Sequence, residues 1–171
     1  MVLGEVRTVK ARIGLVVTSD RVYRGEREDR ILPLVAGWAE RNGYLLAYYT
    51  VRPNSVEAIR SAIVEAATWA DIVLVTGGTG PGPRDVSVEA ARMVAEKELP
   101  GLGEEMRRRS RESVGLRAAL SRSSAYTLGS SIIIVTPGSP DAVEVALEIV
   151  GAVGEHAVRA ARGVSHWEWK H

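Results

Sequence analysis

The chain contains no cysteine. That absence excludes disulfides, a thiolate nucleophile and cysteine-ligated zinc in one step. Histidine is nearly as scarce: three residues, two of them in the last six positions, argue against a histidine-based metal centre. No stretch approaches the ~18 continuous apolar residues of a membrane-spanning helix. An excess of either charge is lacking too, since 22 basic residues face 21 acidic ones. Nothing therefore asks for nucleic acid or an anionic membrane surface as a partner. The opening MVLGEVRTVKARIGLVV scatters charge among its apolar positions and offers no small-residue cleavage signal, so it does not read as a secretory leader. The expectation is a cytoplasmic protein. What remains is 171 residues, 46% of them hydrophobic, enough for one domain with a substantial core. Residues 1–163 are expected to form that domain, and 164–171 an extension.

Apolar β-rich runs at Arg12–Thr18, Tyr44–Val51, Asp71–Thr76 and Ser131–Thr136 read as strands. Ser124–Leu128 pairs with the last of them through a Gly129-Ser130 turn, a hairpin. Ser19–Asp29 is polar and reads as a loop. Helical spacing marks Arg30–Asn42 through Ile31, Leu34, Val35 and Trp38, with Asn42-Gly43 as the stop. Asn54 followed by Glu57 resembles a capping box for a helix whose inner stripe is Ile59, Ala62, Ile63 and Ala66. A further helix is expected over Val86–Glu96, broken by Pro100-Gly101, and a basic amphipathic segment begins at Glu104. Ser139-Pro140-Asp141 is a helix start, carried on by Val143, Leu147, Val150 and Val153 to Gly163. Strands alternating with helices, apolar on both faces, predict an α/β fold: a mostly parallel sheet with helices on both sides, plus the hairpin. Ligands in such folds sit beyond the carboxyl ends of the strands. Ser19-Asp20, Thr76–Asp85 and Pro137–Pro140 all fall there.

The middle segment reads TGGTGPGPRD. Glycines let a backbone take positive φ and approach a ligand, and amides ahead of a helix form an anion site. The match to familiar phosphate motifs fails. Pro83-Arg84 stands where a Walker A loop needs Lys-Ser/Thr, and Gly82 comes one residue early for the dinucleotide fingerprint. A rigid structural turn explains the glycines equally well. Asp85 is as good a cap for the helix at Val86 as it is a catalytic acid, and Arg84 reads as a surface charge.

Taken together, Ile13–Asp20 (IGLVVTSD), the TGGTGP loop with its Arg84-Asp85-Val86, Pro100-Gly-Leu-Gly-Glu104, Leu120-Ser-Arg122 and Pro137-Gly-Ser-Pro140 resemble the MoaB/Mog family of molybdenum- and tungsten-cofactor biosynthesis. The resemblance spans about Ala11 to Gly163. It implies a three-layer α/β/α domain assembled as trimers or hexamers, binding molybdopterin and, in adenylyltransferase members, using Mg-ATP to join AMP to its terminal phosphate with release of pyrophosphate. It further implies that Thr76, Gly77, Gly78, Thr79, Gly80, Pro137, Gly138, Ser139 and Pro140 handle the pterin and its phosphate. Ser19 and Asp20 would serve the nucleotide side, Glu104 would contribute to substrate binding, and Asp85 would be the catalytic acid and magnesium ligand. A molybdate-inserting enzyme is the implied recipient of the product. The alternative within the same pathway is a non-catalytic molybdopterin-binding oligomer. Its sequence support is Asn54, which stands where many adenylyltransferase members carry aspartate: either Asp20, Asp29 or Glu104 compensates, or the pterin is bound without rapid turnover. The related nucleotide-pyrophosphatase domain is disfavoured by Thr79 and Arg84. Arg107–Arg109 and Arg111 read as a solvated helix face, and Trp38 and Trp69 as core or near-core. Trp167 and Trp169 are expected to pack on their own domain or a neighbouring subunit, while Lys97 and Arg122 carry no definite reading.

Overall fold

A computed structural model describes residues 8–164, so the expectation for Trp167 and Trp169 lies outside the described residues. The apolar runs form a six-stranded sheet in the order β2-β1-β3-β6-β5-β4. Its strands are β1 (Arg12–Thr18), β2 (Leu45–Arg52), β3 (Ile72–Thr76), β4 (Lys97–Glu98), β5 (Ser124–Leu128) and β6 (Ser131–Thr136). β2, β1, β3 and β6 run parallel, whereas β5 and β4 add on antiparallel. Gly129 takes the positive φ (56°) needed at the first position of the β5–β6 turn.

The helices are α1 (Asp20–Tyr23), α2 (Ile31–Asn42), α3 (Val56–Trp69), α4 (Ser87–Arg92), α5 (Pro100–Val114) and α6 (Pro140–Ala161), with a 3-10 helix over Gly115–Leu120. They divide into two layers because the central strands are apolar on both faces. Ile13, Leu15, Ile72, Leu74, Ile132 and Ile134 point into a core shared with α2, α5 and α6. Val16, Val73, Val75, Ile133 and Val135 point the other way, onto α3 and α4. A three-layer α/β/α domain results. Gly14 permits a close approach on the α3 side: a Cβ there would lie 3.1 Å from Ala70 Cβ and 3.3 Å from Ala66 Cβ.

Several expectations need correction. Asp20–Tyr23, read as loop, is a single helical turn, because Ser19 Oγ accepts from the Val22 amide and caps it. The cap of α3 is Ser55 rather than Asn54: Ser55 Oγ accepts from the Ala58 amide and donates to Glu57. Pro100-Gly101 opens α5 instead of merely ending the preceding helix, since proline is at home in a first turn. α4 stops at Arg92, short of Glu96. Trp69 is 58% exposed, because the stripe Ile59-Ala62/Ile63-Ala66 continues to Ala70 and leaves residue 69 off the buried face. Val153 is exposed for the same reason, the inner stripe of α6 passing through Gly154, whose Cβ position is 3.0 Å from Ile72. Trp38 does lie near the core, its ring 5.0 Å from that of Tyr44 and against Gly151.

Candidate functional site

β1, β3 and β6 each end in threonine, at Thr18, Thr76 and Thr136. These three ends organise the glycine loop. Thr18 Oγ1 donates to the Thr76 carbonyl (3.0 Å) and therefore accepts from Ser87 Oγ (3.1 Å), tying β1 and β3 to the start of α4. The Gly77 amide donates to the Thr136 carbonyl and the Ser87 amide to the Gly78 carbonyl. Gly77 (φ 100°) and Gly78 (φ 66°) hold the left-handed region, and a Cβ on Gly77 would run into the Thr18 carbonyl. The loop is thus folded back over the strand ends.

Asp85 stands within this loop, half-buried. Its Oδ2 accepts from the Gly82 amide (2.9 Å), and Gly80 and Gly82 have no Cβ where one would press on that oxygen. Its Oδ1 meets no donor among the described residues. The capping alternative for Asp85 is not what the fold uses, since α4 is capped at Val86 without a side-chain bond.

A cavity of about 470 Å³ opens over Gly78, Thr79, Gly80 and Asp85. Its opposite wall comes from α5 and the 3-10 helix, through Met106, Arg107, Ser110, Ser113, Arg117 and Leu120, and from Ser121 and Ser123. Pro137, Gly138, Ser139 and the first residues of α6 close a third side. A second cavity of about 340 Å³ lies beyond, lined by Thr18, Ser19, Asp29, Arg30, Thr76 and Pro140 among others. Gly138 and Ser139 line both. Gly138 can be this thin partition because it packs backbone to backbone, its Cβ position 3.2 Å from Gly77 Cα. Ser139 Oγ caps α6 by accepting from the Ala142 amide (3.4 Å). Thr76 Oγ1 is buried and finds no partner among the described residues, although its residue lines the smaller cavity.

The predicted site residues are therefore sorted rather than simply gathered. Gly78, Thr79, Gly80, Asp85 and Pro137 face the larger cavity, Ser19, Thr76 and Pro140 the smaller, and Gly138 and Ser139 both. Gly77 lies behind them against Thr18. Asp20 lines neither cavity. Arg84 Nη2 donates to its Oδ2 at 2.6 Å and the Asn54 amide to its Oδ1 at 2.9 Å; these bonds hold the Asp20 carboxyl below its usual range. Glu104 is exposed on α5 and lines neither, because that helix turns Gly103 and Met106 inward. Of the three acids expected to compensate for Asn54, Asp29 lines the smaller cavity. Asp29 accepts from the Ile31 amide (2.8 Å) and the Tyr49 hydroxyl (2.8 Å), whose pKa is pushed up to about 12 by burial and by that carboxylate. None of the three shares the larger cavity with Asp85. Among the described residues no group of three histidine, aspartate or glutamate side chains could hold a metal.

The α5 wall escaped sequence reasoning. Arg107, read as part of a solvated face, turns inward and donates to the Ser121 and Ser123 carbonyls (3.3 and 2.7 Å). α5 can come this close because Gly103 sits directly on the Ser123 carbonyl. The signal available was Gly103 and Leu120-Ser-Arg122, but nothing local says that the two meet.

The strand ends of the parallel sheet thus bring glycine amides, hydroxyls and, among the described residues, one unengaged carboxylate oxygen beside two adjoining cavities, an arrangement that suits polar, anionic ligands. The chain belongs to the MoaB/Mog family of molybdenum cofactor biosynthesis proteins: the family described as "probable molybdopterin binding domain" matches residues 14–156. It is 34% identical over 155 residues to the molybdopterin adenylyltransferase of Pyrococcus furiosus, covering 88% of this chain and 91% of that one. It is 32% identical to the molybdenum cofactor biosynthesis protein B of Bacillus subtilis, covering 88% and 90%. Among solved structures, the tungsten cofactor synthesizing protein MoaB from Pyrococcus furiosus superposes with a TM-score of 0.82 at 32% identity, over 89% of this chain and 97% of that one.

Proposed function

We propose that the protein is a molybdopterin adenylyltransferase. A terminal phosphate oxygen of molybdopterin attacks the α-phosphorus of ATP; the new P–O bond forms as the bond to the β-phosphate oxygen breaks, and pyrophosphate leaves with the bonding pair. The observation that carries this reading is the pair of cavities sharing one wall at Gly138 and Ser139. Two ligands seated there would meet at that partition. Molybdopterin is assigned to the larger cavity, among the hydroxyls of Ser110, Ser113, Ser121 and Ser123, and the nucleotide to the smaller. Phosphoryl transfer mainly requires positioned groups and neutralised charge, which loop amides and helix starts provide.

Magnesium fits the donor set. A magnesium ion bound with substrate phosphates takes only one or two protein carboxylates, and Asp85 Oδ1 is one such oxygen with no competing donor among the described residues. When bound, the ion neutralises phosphate charge. The role of Asp85 is to hold it at the larger cavity, and that of the Gly82 amide is to orient Asp85. The relatives' names support this activity, as does the coverage of nearly their whole length. Asn54 supports a second reading, a molybdopterin-binding oligomer that shelters or delivers the cofactor. A trimer or hexamer working in the cytoplasm and handing its product to a molybdate-inserting enzyme is compatible with either. Pyrophosphate release on incubation with molybdopterin and Mg-ATP separates them, binding without release favouring the scaffold. Asp85→Asn is expected to keep the fold and lower turnover ~10²-fold, the scale of one lost transition-state electrostatic element. Near-normal AMP transfer by that variant rejects the assigned role.

A further inference from the structure

Arg122 precedes β5, outside both cavities, yet its guanidinium is spent entirely on the glycine loop and α4. Nε donates to the Gly80 carbonyl (3.0 Å) and Nη2 to the Asp85 carbonyl (2.8 Å). The carboxylate of Glu89, in the first turn of α4, accepts from Nη1 and Nη2. The Arg122 backbone amide donates in addition to the Thr79 carbonyl (2.9 Å). One residue therefore grips the loop before and after its Pro-Gly-Pro turn. We propose that Arg122 is a positioning residue that fixes where the Asp85 carboxylate stands. The inference rests on the role assigned to Asp85.

The planar fork explains why arginine serves here. Two carbonyls and a carboxylate are met by one rigid group, which a lysine ammonium cannot span. Glu89 is held ionised by the same contact, its carboxyl lowered chiefly by the hydrogen bond from Arg122, so the anchor stays charged at neutral pH. The support extends further back: Arg107 of α5 holds the Ser121 and Ser123 carbonyls on either side of Arg122. A continuous relay thus runs from the α5 wall of the larger cavity, through Ser121–Ser123, to the loop on its floor. Without the grip, the turn between Gly80 and Asp85 would keep its own Gly82–Asp85 bonds and the exposed Arg84–Asp20 pair.

Amide hydrogen exchange and AMP transfer test this on Arg122→Met, Arg122→Lys and Glu89→Gln. In Arg122→Met the Gly82 and Asp85 amides are expected to exchange at least ~10-fold faster while β3 and β6 stay protected. Turnover should fall ~10–10²-fold with KM changed no more than about twofold, as for a misplaced catalytic group. Lysine should restore part of both, and Glu89→Gln should give a smaller change in the same direction. Unchanged loop exchange in Arg122→Met overturns the proposal, as does lost turnover without any lysine rescue. If Arg122→Met fails to fold, Glu89→Gln decides: local loosening supports the role and wild-type exchange refutes it. Loosening in Arg122→Met, in a protein whose wild type transfers no AMP, upholds Arg122 as the loop's anchor and rejects the adenylyl-transfer reading instead.

Discussion

Gly80→Ala displaces the Asp85 carboxylate without touching its charge. An alanine Cβ at residue 80 would lie 2.7 Å from Asp85 Oδ2, and real Cβ contacts essentially never fall below 3.0 Å, so the oxygen must retreat by at least 0.3 Å (3.0 − 2.7). Gly80 is not among the glycines with positive φ, so alanine fits its backbone. The atom displaced is the tip of a side chain, whose rotation off its minimum costs about 0.5–1.5 kcal/mol. Reduced freedom of the unfolded chain returns about 0.4–1 kcal/mol. Net stability should stay within about 1 kcal/mol, a Tm shift of no more than ~4 °C at this size. Gly77→Ala is the control. There φ is 100° and the obstacle is the backbone carbonyl of Thr18, so nothing inexpensive can move; left-handed strain alone costs about 1–2 kcal/mol before the clash is added.

The two variants should therefore separate. Pyrophosphate release and differential scanning calorimetry on both are expected to show Gly80→Ala near wild-type in Tm but about tenfold slower, a fraction of the ~10²-fold attached to a 1 Å misplacement. Gly77→Ala should lose several degrees. Wild-type turnover by Gly80→Ala, alongside a crippled Asp85→Asn, would mean that the exact seat of the carboxylate is irrelevant. An equal fall in Tm for both variants would refute the packing argument itself.

Asp71 offers a test of stability against pH at the opposite end of the sheet. Burial alone would raise its pKa, but hydrogen bonds and charge from Arg12, with charge from Arg162, outweigh burial and leave it lowered. A lowered folded pKa stabilises above the unfolded value of about 3.9 and loses that contribution as pH falls below it. Asp71→Ala should therefore destabilise by about 1–3 kcal/mol at pH 7, discounted because both arginines are about half exposed, and the gap to wild type should close in acid denaturation below about pH 4. Asn54→Asp would set a second carboxylate where Nδ2 now donates to Asp20 Oδ2 at 3.4 Å. It should destabilise by about 1 kcal/mol at neutral pH. Because residue 54 lines neither cavity, pyrophosphate release should change less than about threefold. A tenfold gain would move the magnesium assignment away from Asp85.

The sheet was legible because its signals are local. Arg12–Thr18 and Ser131–Thr136 are strands with the bounds their composition predicts, and Ser139-Pro140-Asp141 starts α6 through the serine cap. Locality also explains the failures. Asn54 and Ser55 are both good caps, and Ser55 takes the place because its hydroxyl meets the Ala58 amide, while Asn54 turns its amide and Nδ2 to Asp20, 34 residues away, and its Oδ1 finds no partner among the described residues. Trp69 reads as part of a helix stripe, core or near-core, but its phase on α3 puts it outside. The strand-end half of the site could be read from glycines and from strand direction. The α5 half could not, since Arg107 among Arg108 and Arg109 differs from them only in what it meets across the fold. Arg108 and Arg109 pair with Glu105 on the helix surface, and Arg107 caps carbonyls of another element.

The acids around the loop supply the strongest argument about where its chemistry lies. Asp20 is bonded to Arg84 and Asn54, Asp29 to Tyr49 and the start of α2, and Glu89 to Arg122. Each of these carboxylates neutralises a cation or satisfies a donor that would otherwise be left open, so its ionised form is already used to hold the loops together. Asp85 differs in kind. One of its oxygens is fixed by the Gly82 amide, glycines clear the space beside it, and the other oxygen, at the edge of the larger cavity, meets no donor among the described residues. Asp20, Asp29 and Glu89 each have both carboxylate oxygens engaged by protein donors. Held by one amide and with its second oxygen unengaged among the described residues, Asp85 is the acid on which the proposed magnesium role rests.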